Sequence, residues 1–164
     1  MSGQERTQKR SAGLLLYRAR AGNGELEVLL GHMGGPLWEH REEGAWSVPK
    51  GEYGPEEQPQ AAALREFEEE LGAAPPPGPY LPLGEVRQKN GKLVTVWAVA
   101  ADFDPELMRP GTFTMEWPPH SGRFGEFPEL DRVAWFTPEE ARGRVVAAQF
   151  AFLERLGERL AAAD

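Results

Sequence analysis

The sequence predicts a mixed α/β single domain whose sheet is built largely from hairpins, with helices on its faces. Three observations carry that expectation. Two pairs of apolar runs each flank a turn signal: Ala12–Arg18 and Leu26–Met33 around Ala-Gly-Asn-Gly-Glu, and the two halves of Leu81–Phe103 around Asn90-Gly91. Asn-Gly between alternating apolar residues is a strong short-range hairpin signal, because both residues accept the positive φ that a tight turn requires. Two other segments, Pro59–Leu71 and Val145–Ala163, instead repeat apolar residues at helical spacing. Strands and helices interleaved along 164 residues suit one core, with the helices covering the sheet.

Taken in order, residues 1–10 are polar and expected to form a disordered tail, leaving 11–164 as the domain. The first hairpin is followed by a loop, Gly34–Trp46, rich in Gly, Trp and charge, and by the short apolar stretch Ser47-Val48-Pro49. The helix over Pro59–Leu71 starts with Pro at a favoured first position and stops at Gly72, a suitable C-terminal cap. Ala73–Tyr80 reads as a stiff loop inside the domain, since neither side of it could make a full core alone. After the second hairpin, Asp104–Leu130 is expected to be a long irregular section, of the kind that is usually functional or mobile. Asp131–Phe136 is a short strand, and Thr137-Pro138-Glu139-Glu140-Ala141 is a helical turn capped by Thr137 with Glu three residues later. The last helix carries Val146, Phe150, Leu153, Leu156 and Leu160 on one side, and no internal repeat is visible.

Composition excludes several functions. The absence of cysteine removes disulfides, thiolate metal sites and cysteine nucleophiles, and fits a reducing cytoplasm. The first ten residues are charged but lead into no apolar segment of the signal-peptide kind, and no apolar run approaches the roughly 20 residues that span a bilayer. A net charge of −8 argues against a nucleic-acid polymer as partner. It also means that a phosphorylated substrate would need local Lys and Arg or bound cations to approach.

The helix over Pro59–Leu71 carries an unusual charge pattern. Leu64, Phe67 and Leu71 form its apolar stripe, with Gln60 and Ala63 alongside, while Glu66, Glu69 and Glu70 converge on another patch and Glu68 points away. Like charges at i, i+4 destabilise an isolated helix by a few tenths of a kcal/mol, and this cluster lies towards the negative end of the dipole. A solvated acidic face is the plain alternative. Converging carboxylates raise one another's pKa unless a cation neutralises them, and oxygen donors without His or Cys select Mg²⁺, Mn²⁺ or Ca²⁺. Arg65, four residues before Glu69, is placed to hold a carboxylate through a bidentate contact. A structural Ca²⁺-binding domain is disfavoured, because no Asp-rich loop with a central Gly is present.

These residues resemble the Nudix box, GX5EX7REUXEEXGU with U a bulky aliphatic. Gly51, Glu57, Arg65, Glu66, Glu69, Glu70 and Gly72 occupy all its fixed positions, and only the two U positions depart, as Phe67 and Ala73. The box covers 23 of 164 residues; the order of strands, the second hairpin and the terminal helix are similar to the family's αβα sandwich, less specifically. The resemblance implies a Mg²⁺- or Mn²⁺-dependent hydrolase that cleaves a nucleoside diphosphate linked to another moiety. By the same resemblance Glu66, Glu69 and Glu70 are the metal-binding carboxylates, the Lys50 carbonyl is a backbone ligand, and Arg65 and Glu57 orient them. Gly51 and Gly72 serve backbone geometry. The family often adds a distal carboxylate shortly before a strand with Trp; Glu129, six residues before Trp135, fits that place, with Glu126 and Glu116 as rivals. Either Glu66 or this distal Glu would be the general base. A silent nucleotide-sensing module is the competing class.

For the substrate, the stretch Trp46-Ser47-Val48-Pro49-Lys50-Gly51 is informative. Pro-Lys-Gly before the box resembles Nudix enzymes acting on diadenosine tetraphosphate and on inositol polyphosphates, and an added Lys makes physical sense for a substrate with four or more charges. Against that reading, no Tyr stands at Lys89, Asn90 or Gly91, where the diadenosine enzymes often have one; nor does Gln88 match the Pro of ADP-ribose enzymes. Trp38, Trp46, Trp117 and Phe124 are candidates for stacking on a base, and Arg41, Arg87, Lys92 and Arg123 for reaching phosphate. His32, His40 and His120 receive no role. The expected partner is a dinucleoside polyphosphate, cleaved asymmetrically to ATP and AMP; the alternative is a nucleoside triphosphate cleaved to monophosphate and pyrophosphate.

Overall fold

Alternation along the first strand sets the layers of the molecule. In β1 (Arg10–Ala19), Leu15 faces one side of the sheet while Leu14 and Leu16 face the other, and all three are buried. A strand with two apolar faces has to be covered twice. The structure, a computed structural model, describes residues 8–163.

β1 turns back into β2 (Leu26–Met33), with Tyr17 opposite Val28 and Ala19 opposite Leu26. Two short strands follow, β3 (Trp46–Ser47) against β2 and β4 (Lys50–Glu52) against β1. Helix α1 (Pro59–Leu71) leads to the second hairpin, β5 (Leu81–Arg87) and β6 (Leu93–Ala100), whose turn contains Gly91 at φ +90°. β6 runs parallel to β1, so the sheet is mixed, in the order β3-β2-β1-β6-β5; β9 (Leu130–Phe136) also pairs with β2. β7 (Thr112–Glu116) and β8 (Phe124–Pro128) form a separate hairpin before it. The chain ends in the short α2 (Pro138–Ala141) and in α3 (Phe150–Ala162).

On one face, Leu15, Leu30, Val96 and Ala98 pack with Phe152, Leu153 and Leu156 of α3. On the other, Leu14, Leu16, Leu29 and Val99 pack with Phe67 and Leu71 of α1. The result is the αβα sandwich that the sequence led us to expect. Each such side chain contributes about 1.5–3 kcal/mol by leaving water. Phe67, aromatic where the box asks for an aliphatic, is 1% exposed and serves as core. The capping box is present at α2, where Thr137 Oγ1 accepts from Glu140 N–H and the Glu140 carboxylate accepts from Thr137 N–H. Among the described residues no helix is long and apolar enough to cross a membrane.

Three expectations need correction. Asp104–Leu130 is not irregular throughout, because it contains the β7–β8 hairpin; no side chain of that hairpin is fully buried, which weakens its alternation in the sequence. The last helix begins at Phe150 rather than Val145, because the backbone of Arg144 and Val146 is bonded to Trp46 at the sheet edge. Of the tail expected over residues 1–10, residues 1–7 lie outside the described residues, whereas Arg10 already opens β1.

Candidate active site

Helix α1 delivers the acidic residues, and its ends fix their register. Pro59 sits at its start, and Gly72 ends it at φ 72°, a left-handed conformation suited to Gly, donating its N–H to the Glu68 carbonyl. That register buries Glu66 and Glu70, one turn apart, and leaves Glu68 and Glu69 exposed. Glu66 lies directly against the backbone of β4: a Cβ on Gly51 would stand 1.9 Å from its Oε1. Gly51 is required there because any side chain would displace the carboxylate.

Arg65 organises one side of the cluster. Its Nε and Nη2 donate to both oxygens of Glu57 at 2.8 Å, and its Nη1 reaches Glu66 at 2.7 Å and Glu69 at 3.2 Å. The Glu57 bond, then those to Glu66 and Glu69, holds the guanidinium charged, and Arg65 in turn lowers the pKa of Glu57.

Glu70 faces a different environment. It lines an open cleft of about 230 Å³ with Lys50, Glu129, Ser47, Trp38 and Phe113. Burial, followed by the charges of Glu129 and Glu66, pushes the Glu70 carboxyl up to about 8. Burial also raises Glu66, with Arg65 opposing. Lys50 is pushed down to about 8 by burial and by Lys92, with Glu70 among the charges that oppose this. So the cleft holds carboxylates at a cost that a cation would relieve.

Backbone bonds tie the pieces together. Gly111 N–H donates to the Glu69 carbonyl at 3.0 Å, and its carbonyl accepts Glu129 N–H at 2.8 Å. The Glu129 carbonyl accepts Gly34 N–H at 3.0 Å, and a Cβ on Gly34 would collide with the Pro128 oxygen at 2.0 Å. The stem of the β7–β8 hairpin therefore links the acidic helix to Glu129 and to the loop that carries Trp38.

The sequence profile of the NUDIX domain matches residues 7–156. The chain belongs to the NUDIX domain family. Several solved structures share the fold at low identity. An Ap4A hydrolase of C. elegans, in a binary complex, is 22% identical with a TM-score of 0.64, covering 93% of this chain and 98% of that one. The NUDIX domain of Shewanella oneidensis NrtR, complexed with ADP ribose, is 17% identical with a TM-score of 0.63, covering 96% and 92%. A mutT/nudix family protein of Listeria innocua is 18% identical with a TM-score of 0.61, covering 96% and 98%. No curated protein sequence matches significantly. Family membership and the assembled box support a pyrophosphohydrolase enzyme, and Nudix hydrolases generally use divalent metals.

Within this Nudix chain, the residues expected at the site divide into two groups. Lys50, Glu70 and Glu129 share the cleft; Glu57, Arg65, Glu66 and Glu69 form the Arg65-centred cluster beside it, and Gly51 and Gly72 shape the backbone. The carboxylates do not close on one point: among the described residues no three His, Asp or Glu side chains are grouped tightly enough to hold an ion as they stand. Glu66 and Glu69 are both held by the same nitrogen, Arg65 Nη1. The donors still fit a hard cation by their chemistry, being all oxygen, with two of them buried at raised pKa.

Two expected substrate-binding residues are elsewhere. Trp46 is 3% exposed and packs edge-on to His32 and Phe136 in the core, so it cannot stack on a base. Arg87 lies at the end of β5 and donates to the Gly91 carbonyl of its own hairpin turn, away from the cleft. Of the rivals to Glu129, Glu116 accepts from His120 and Gly122 N–H in the β7–β8 turn, and Glu126 pairs opposite Thr114 in that hairpin.

Sequence reasoning missed Phe113 and Gln149. Phe113 could have been found from the alternation Thr112-Phe113-Thr114-Met115. Gln149 is fully buried; it accepts Val48 N–H at 2.9 Å, and donates to Ser47 Oγ at 3.0 Å and Gln88 Oε1 at 2.9 Å. It braces the segment that ends in Lys50 from 101 residues away, a pairing with no local signal.

Proposed function

We propose that the cleft hydrolyses a phosphoanhydride bond of a nucleoside polyphosphate, with asymmetric cleavage of a dinucleoside polyphosphate such as diadenosine tetraphosphate to ATP and AMP as the first reading. The observation that carries it is Lys50 in one cleft with Glu70 and Glu129, which Trp38 and Phe113 also line. Glu66, Glu69, Glu70, Glu129 and the Lys50 carbonyl would hold Mg²⁺ or Mn²⁺. Bound there, the cation supplies charge neutralisation on the phosphoryl oxygens and lowers the pKa of water.

The chain's own residues do the rest. Arg65, clamped on Glu57, orients Glu66 and Glu69 through its Nη1. The Lys50 ammonium attracts a phosphate chain longer than two charges can neutralise. A carboxylate oxygen of Glu66 or Glu129 takes the proton of the attacking water as its oxygen bonds to phosphorus and the bridging P–O bond breaks. Trp38 and Phe113 give the base an apolar wall. The shared fold with an Ap4A hydrolase supports this reading.

One observation favours the second reading, cleavage of a nucleoside triphosphate to monophosphate and pyrophosphate: the cleft is lined by a single aromatic pair, enough for one base. Chromatography of products separates the two. On the first reading, diadenosine tetraphosphate with Mg²⁺ gives ATP and AMP, and Lys50→Ala lowers its kcat/KM by about tenfold, more than that for ATP. Untouched dinucleotides, with triphosphates releasing pyrophosphate at high kcat/KM, defeat it in favour of the second.

A further inference from the structure

His32 is fully buried in β2, and its ring is bonded at both nitrogens. Nδ1 lies 3.0 Å from each oxygen of Asp131, and Nε2 lies 2.6 Å from the Arg41 carbonyl. A neutral imidazole offers one donor and one acceptor, whereas a carbonyl and a carboxylate both only accept. Each ring nitrogen thus has an acceptor within hydrogen-bond distance, one on β9 and one on the loop that follows β2. The other charged groups facing this site are Glu42, 3.9 Å from Nε2, and Arg132, bonded to Asp131 at 3.2 Å and to Glu42 at 2.8 Å. Trp46 packs edge-on to the ring at 5.1 Å.

These bonds join three elements. Asp131 and Arg132 belong to β9, directly after Glu129, and Arg41 and Glu42 belong to the loop between β2 and β3. That loop is bonded at its start, from Gly34 N–H to the Glu129 carbonyl, and at Arg41 by His32; between them Trp38 is fixed by two turns, Trp38 N–H to Gly35 O and Arg41 N–H to Trp38 O. We propose that His32 is a positioning residue that, through the bonds at its two ring nitrogens, holds this loop and so keeps Trp38 in place as the base-binding wall of the cleft. The substrate-facing half of this statement rests on the nucleotide reading above; the hold on Trp38 does not.

The test begins on nucleotide-free protein by ¹H–¹⁵N NMR. In His32→Asn the Trp38 indole peak shifts or broadens, while that of Trp97 in β6 stays. A Trp38 peak unmoved in a folded variant overturns the proposal whatever the substrate. Should the buried variant not fold, Asp131→Ala, which removes the acceptor at Nδ1, is read on the same peaks against the same outcomes.

Binding of β,γ-methylene-ATP with Mg²⁺ gives the second readout. His32→Asn weakens it about 5- to 10-fold in the wild-type background and less than about 2-fold in Trp38→Ala, since residues acting through one another are non-additive. Equal losses in both backgrounds mean that the ring merely supports the fold, and overturn the proposal. A wild type that binds no nucleotide defeats the nucleotide reading instead, with the Trp38 peak still deciding the role of His32.

Discussion

Helices α1 and α3 have 13 residues each and cover opposite faces of the same sheet, yet different physics holds them. α3 buries Phe152, Leu153 and Leu156, carries Arg159 in its last turn where the dipole favours a cation, and donates from Arg155 and Arg159 to the Leu83 and Pro82 carbonyls of β5. α1 buries Phe67 and Leu71 but also Glu66 and Glu70, has no basic residue in its last turn, and begins without a side-chain cap. α3 likewise begins without a side-chain cap, but it buries no charged residue. The other breaks local rules along one face only, and that face borders the cleft. Such a confined conflict is what a functional site looks like in physical terms.

Glu70→Gln should separate the roles of the two helices by the widest margin. We expect kcat to fall by roughly 10²–10³-fold, the scale of losing one preorganised electrostatic group, with no loss of thermal stability. Steady-state kinetics with Mg²⁺ and a melting curve on the same sample check both halves; a protein that melts much earlier, at unchanged kcat, would reverse the roles assigned to the helices. Leu153→Ala in α3 is the mirror experiment. It should cost about 2–5 kcal/mol of stability in denaturant titration and leave kcat/KM per folded molecule unchanged.

A smaller effect sharpens the charge argument. In metal-free protein the Glu70 carboxyl stands near 8 against an ordinary 4.5, because of burial and then Glu129 and Glu66. The folded state therefore binds the proton more tightly than the unfolded one, and stability should fall as pH rises from about 4.5 to about 8, by at most about 1.4 kcal/mol per pH unit. Lys50, displaced downwards to about 8, is charged in both states over the lower part of that window and opposes the fall only as pH approaches about 8. Glu70→Gln should flatten the fall, and the stabilisation by Mg²⁺ should grow with pH over the same range, since the ligands bind as carboxylates. Parallel curves for wild type and variant would show that Glu70 is not the group responsible.

Much of this was legible in the sequence, for reasons that also explain the gaps. β2 and α1 run over the residues their patterns indicated, because Leu26–Met33 is bounded by turn residues and Pro59–Leu71 by Pro and Gly. The spacing of the box placed Glu66, Glu69 and Glu70 on one helix, and local geometry carried that through. Most of what failed was non-local. Trp46 looked like a stacking residue because composition cannot tell a buried indole from a cleft wall. Arg87 is taken up by its own turn, Gln149 by a segment 101 residues earlier, and His32 by Asp131, 99 residues later. None of these partners has a periodicity that links it to the other.

The smallest expected effect tests the register on which the comparison rests. Glu68 lies between Glu66 and Glu69 of the cluster and has the same chemistry as they do; only its direction differs. It is exposed, and its contribution to the fold is its backbone carbonyl, which accepts the Gly72 N–H at 2.8 Å and is untouched by side-chain substitution. Glu68→Gln should therefore change kcat/KM by less than about twofold and stability by less than about 0.5 kcal/mol, as for other surface positions. Removing one negative charge near the negative end of the helix dipole should act, if at all, as a slight stabilisation that fades with added salt. Kinetics of Glu68→Gln beside Glu70→Gln, in one buffer and at one Mg²⁺ concentration, provide the check. If the two variants lose activity alike, the carboxylates act through summed charge rather than through position, and the contrast between the two faces of α1 collapses.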